Sequence, residues 1–153
     1  MTVRNLVLAV ALTTAPVAVS HAKAPAPAPI TVKMDLAATD AIRSLLGDAF
    51  DEGQVAMLQA LGHQQAVAAV CDGFEIDPAA FQNEFDLIYD DQAGKPRSLD
   101  SGQRAEIERK ATLALGMAFG AQIAISANDH PAFCKAAGDE RAAGKATNLV
   151  WTK

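Results

Sequence analysis

Cys71 and Cys134 are the only thiols in the 153-residue chain, so whatever sulfur chemistry it performs rests on those two positions. They lack the C-x-x-C spacing of a redox-catalytic pair, and the further thiols or paired histidines of a zinc site. In an oxidising compartment that leaves a structural disulfide. Closing so long a loop should stabilise the fold by about 4 kcal/mol in the chain-entropy account. The histidines offer less. His63 and His130 remain once an N-terminal signal containing His21 is set aside, and no H-x-x-x-H, H-E-x-x-H or Ser-His-Asp context surrounds either. An enzyme would have to assemble its site from dispersed residues such as His63, Asp72, Glu75 and His130, an arrangement that no spacing supports. A P-loop and a G-x-G-x-x-G motif are also missing. The sequence therefore assigns no catalytic, cofactor-binding or metal-ligating residue.

An acidic stretch contains Asp72, Glu75, Asp77, Glu84, Asp86, Asp90 and Asp91, with no Lys or Arg among them. Calcium would need D-x-D-x-D-G spacing and a distal Glu, which this stretch lacks. Two readings remain. One is a solvated helix face with capping residues; the other is an acid sensor whose carboxylates loosen the fold on protonation.

The chemistry of the cysteines depends on where the chain goes, and its first 22 residues read as an export signal. Arg4 supplies the positive start, Leu6 to Ala15 the apolar stretch, and Ser20-His21-Ala22 the small-residue cleavage pattern, with cleavage after Ala22. The apolar run is short for a bilayer anchor, and no cysteine follows it to be acylated. A periplasmic or secreted destination is expected. The net charge is −5, and loss of Arg4 with the signal takes it to −6. Such an acidic chain is a poor ligand for nucleic acid or anionic lipid, which call for clustered Lys and Arg.

Residues 23–36 begin as an alternating Ala/Pro stretch, expected to be an extended linker. Residues 37–153 are expected to form a single all-α domain, a small bundle of about five helices with one long-range disulfide. Low aromatic content (5%) and abundant alanine favour helices over a sheet. Thr39 is the expected N-cap of the first helix, whose apolar face is Ile42, Leu45, Leu46 and Ala49. The second should run from Gln54 to Cys71, bent at Gly62 and stopped by Asp72-Gly73. The third has the firmest start: Asp77 as cap, Pro78 at the first helical position, and Ile76 with Phe81 as a hydrophobic staple. Phe81, Phe85 and Ile88 should line one face. After a polar loop at 91–98, Asp100 and Gln103 form a capping box for a long helix ended by Asn128-Asp129. Pro131 opens a last helix carrying Phe133 and Cys134. Leu149-Val150-Trp151 should pack back onto the helices.

The segment from Ala111 to Ala127 is almost wholly apolar and contains Gly116-x-x-x-Gly120, a spacing that lets helix backbones approach closely. The expected reading is a central helix buried on nearly all sides. A homodimer seam through Gly116 and Gly120, or insertion in a membrane, are the alternatives. In layout the chain resembles small periplasmic acid-stress chaperones: an export signal, a compact acidic helical domain and one long-range disulfide. No family motif matches residue by residue, so the resemblance carries over no site residue. The functional expectation is a non-enzymatic binding or interaction protein of the cell envelope, with a protein partner or small ligand. A small-ligand carrier, an acid-stress type chaperone and an enzyme with a dispersed site are the alternatives.

Overall fold

The computed structural model describes residues 28–143 and 150–152. The expected export signal with its cleavage site at Ala22, the first residues of the expected linker, and Leu149 lie outside that range. Among the described residues are five α-helices, α1 (Ile30–Leu46), α2 (Glu52–Val70), α3 (Pro78–Asp86), α4 (Ser101–Asn128) and α5 (His130–Ala143), with single 3-10 turns at Gly47–Ala49 and Leu87–Tyr89. The expected all-α bundle with one long-range disulfide is what forms.

Where the start signal is a local hydrogen bond, the structure follows it. Asp77 accepts from the backbone N–H groups of Ala79 and Ala80, with Pro78 opening α3. Asp100 accepts from the N–H of Gln103, whose side chain returns the bond to the backbone of Asp100. Asp51 caps α2 through the same reciprocal box with Gln54, so this helix starts at Glu52 rather than at the expected Gln54. Each of these satisfies amides that the helix itself leaves without partners.

The first helix departs from expectation. It starts at Ile30, directly after Pro29, so residues 30–36 are helical rather than linker. Thr39 is not a cap but an interior residue, whose Oγ1 accepts a hydrogen bond from Gln59 on α2. Two contacts meet the added turns near their inner end: Asp35 accepts a hydrogen bond from the amide of Gln122 on α4, and Ala38 shares a small crevice with Ala118 and Ala121. The turns before them leave Ile30 and Val32 exposed, as is Leu36.

The most extensive packing is between α2 and α4, followed by α1 against α4. Gly62 lies at the α2–α4 crossing. A Cβ added to it would come 2.5 Å from the Cβ of Ala118 and 2.8 Å from the backbone nitrogen of Phe119. α2 runs unbroken through Gly62 from Glu52 to Val70, and the missing side chain lets α4 come close. Around this crossing Ile42, Leu46, Phe50, Val55, Leu58, Ile88, Ile107, Ala111, Ala114 and Ala118 form one core cluster. Phe81 and Phe85 stack at 6.3 Å and are only half-buried, while Ile88, in the turn after α3, is fully buried.

A second cluster joins the end of α2 to α5 and the chain's last described residues: Ala66, Val67, Cys71, Phe74, Phe133, Ala137 and Trp151. Val150 and Trp151 do pack back, as expected. Trp151 pairs antiparallel with Ile76, sets its ring edge-on to Phe74 at 4.8 Å, and donates its indole N–H to the carbonyl of Gln64. Cys71 and Cys134 are bonded, with their Cα atoms 5.5 Å apart across 63 residues of sequence.

Candidate interaction surface

The apolar segment of α4 is not buried on nearly all sides. Of its most apolar 18-residue window, 22% is buried. The covered stripe is Ile107, Ala111, Ala114 and Ala118, at helical spacing, with Ser126 further along. On the outer face Leu113 is 47% exposed and Met117 37% exposed. Gly116 and Gly120 lie there too, and a Cβ built on either would meet no atom within 4 Å. The glycine pair that the spacing marked as a close-approach motif is thus open to solvent, and the glycine that serves close approach is Gly62.

Beside this face runs a groove of about 590 Å³ between α2 and α4, lined by Gln65, Ala68, Ala69, Ile76, Thr112, Leu115, Gly116 and Phe119. No ionisable side chain lines it. Gly116 belongs both to the groove and to the outer face, so the two form one apolar surface. The first turns of α4 make a charged collar at one end of it. Arg109 hydrogen-bonds Glu106 and holds that carboxyl below its usual range, and Arg104 stacks 4.3 Å over the ring of Tyr89. Burial, and then the nearby Glu108 carboxylate, push the Tyr89 hydroxyl up.

The residues considered for chemistry are dispersed. His63 contacts Gln122 and Glu140, whereas His130 sits 2.8 Å from the carbonyl oxygen of Val70 and 3.7 Å from the sulfur of Cys134. They share no partner. Asp72 and Glu75 are exposed at the surface. Several carboxylates of the acidic stretch have local structural partners. Asp77 caps α3, Asp86 accepts from Gln82, and Asp91 accepts from the N–H groups of Ala93 and Lys95 in a tight turn. Among the described residues no group of three His, Cys, Asp or Glu side chains is placed to hold a metal ion.

Two glutamines, Gln54 and Gln64, are buried, which residue order does not signal. The amide of Gln54 donates to the carbonyls of Leu87, Ile88 and Asp90, and the guanidinium of Arg97 reaches those of Ala49 and Ile88, so the turn after α3 is tied to the start of α2. Gln64 accepts from the backbone N–H of Val150 and thereby holds the chain's end. Glutamines scattered along an apolar helix carry no spacing signal; only the backbone groups that they meet reveal them. The sequence matches no protein-family model, and no curated protein and no solved structure is significantly similar to the chain.

Proposed function

We propose that the chain is exported and works as a non-enzymatic binding protein of the cell envelope, engaging an apolar partner along the outer face of α4. One observation carries this reading: Leu113, Gly116, Met117 and Gly120 lie open on a helix whose opposite stripe is closely packed. Exposed apolar residues grouped along one element, beside an uncharged groove, mark interaction sites more often than isolated ones do. The open glycines suit a helical partner, because their missing side chains let a second backbone approach closely.

A second form of the reading takes the groove as its starting point. Its volume and its Ala, Ile, Leu and Phe lining suit the apolar part of a small ligand, which makes the protein a carrier. A homodimer through Gly116 and Gly120 is a special case of the first form, with the partner a second copy.

The test is a pull-down from the envelope fraction with the wild-type chain and with Leu113→Glu and Gly116→Leu. Both substitutions should release the partner and leave the helical content unchanged, since neither position is packed against the core. Retention of the same partner by both variants would remove the reading. Light scattering on the purified chain reads the homodimer directly, and N-terminal sequencing of the recovered protein checks cleavage after Ala22.

A further inference from the structure

The ring of His63 sits between two acceptors on two other helices. Its Nδ1 is 3.1 Å from Oε1 of Gln122 on α4, and its Nε2 is 3.1 Å from Oε2 of Glu140 on α5. The Gln122 amide is oriented by its far end, because its Nε2 donates to Oδ1 of Asp35 on α1 at 3.1 Å. An ionised carboxylate only accepts, so the Asp35 contact fixes the NH₂ of Gln122 outward and leaves its oxygen for His63. Asp35, Gln122, His63 and Glu140 thus form one chain of hydrogen bonds across α1, α4, α2 and α5.

We infer that His63 is a proton-operated latch, closed only while its ring carries protons on both nitrogens and Glu140 is ionised. A neutral imidazole has a single N–H. If that proton sits on Nδ1, the lone pair of Nε2 faces the Glu140 carboxylate. If it sits on Nε2, the lone pair of Nδ1 faces the Gln122 oxygen, and turning the amide over would only set that oxygen against Asp35. Loss of the second ring proton therefore breaks one bond of the chain and strips the positive charge from the contact with Glu140. Protonation of Glu140 removes the ionic contact from the other side.

The charged surroundings of the ring are few. On its own helix, α2, the single charged residue is Glu52, three turns away. On α4 the charges lie before Ala111, so Gln122 is the polar group that α4 presents. On α5, Lys135 pairs with Asp139, and Arg141 reaches the carbonyl of Gly73 and lies over the ring of Phe74, leaving Glu140 to face His63. Phe133 and Trp151 flank the imidazole at 5.7 and 6.4 Å and contribute no charge. His63 and Glu140 side chains are 27% and 35% exposed, so water screens the pair and opening the latch loosens α5 without detaching it. The disulfide at Cys134 and the Arg141 contacts still hold that helix.

The experiment follows two signals on the purified chain across pH. Nitrogen-15 shifts of the imidazole, assigned by their loss in His63→Gln, report how many ring nitrogens carry a proton. Amide exchange along α5, corrected for its intrinsic pH dependence, reports the grip on that helix. In the wild type, α5 protection should fall severalfold as the ring loses its second proton. In Glu140→Gln, which keeps the side chain's size, that fall should disappear over the same pH range. The inference is overturned if the corrected protection of α5 ignores the titration of His63, or if Glu140→Gln retains the wild-type dependence.

Discussion

The two sides of α4 are alike in being apolar and have opposite fates. The inner stripe is Ile107, Ala111, Ala114 and Ala118; the outer one is Leu113, Gly116, Met117 and Gly120. Both are apolar and both include small residues at four-residue spacing. The inner stripe is covered because α2 presents Gly62 opposite Ala118, so that the two backbones come together with side-chain atoms filling the space around them. The outer stripe faces no element among the described residues. Small residues permit a close approach but do not create one; a complementary surface must be supplied.

Substitutions on the two sides should separate them sharply. The largest effect belongs to the inner side. Leu58→Ala, a fully buried position in the same core cluster, should cost about 3 kcal/mol in chemical denaturation through the cavity that it leaves. A cost below about 1 kcal/mol would mean that the inner stripe is as loosely covered as the outer one. Gly62→Ala comes next. The added methyl meets backbone at 2.8 Å, so α2 and α4 must separate, at about 2 kcal/mol.

The same chemical change on the outer side should have the opposite sign. Gly116→Ala and Gly120→Ala find empty space and remove two weak helix formers, and together they should stabilise by about 1.5 kcal/mol, read as a higher Tm. If either destabilised the purified protein, something would already occupy that face. Asp100→Ala removes the capping box that starts the helix and should cost about 1 kcal/mol, affecting both sides equally. The smallest effect is expected of Met117→Lys, within about 0.5 kcal/mol of wild type. A stability change that small, joined to loss of partner binding, would sharpen the contrast most.

The starts of α3 and α4 were legible in the sequence because Asp77 and Asp100 act on amides two or three residues away, a relation that no distant packing can rearrange. The start of α1 was not. A proline-rich lead-in and a threonine cap point to a start near Thr39, but the helix runs from Ile30 and meets Gln122 and Gln59 through Asp35 and Thr39. The candidate surface was half legible. Gly116 and Gly120 could be singled out from spacing, yet the expected burial of their helix was wrong.

Taken alone, the sequence determined the helical class, the starts of α3 and α4, which rest on short-range caps, and the pairing of the two available sulfurs. Local hydrogen bonds and the scarcity of alternatives account for that. Only the tertiary structure decided which side of α4 is covered, which glycine serves as a contact, and which helices His63 joins. The physical reason is that segment 111–127, apolar apart from Thr112, Gln122 and Ser126, has too weak a polar phase to orient it, so its buried side is chosen by the neighbours it meets. The bonds of His63 likewise span 59 and 77 residues, a distance over which residue order carries no geometric information.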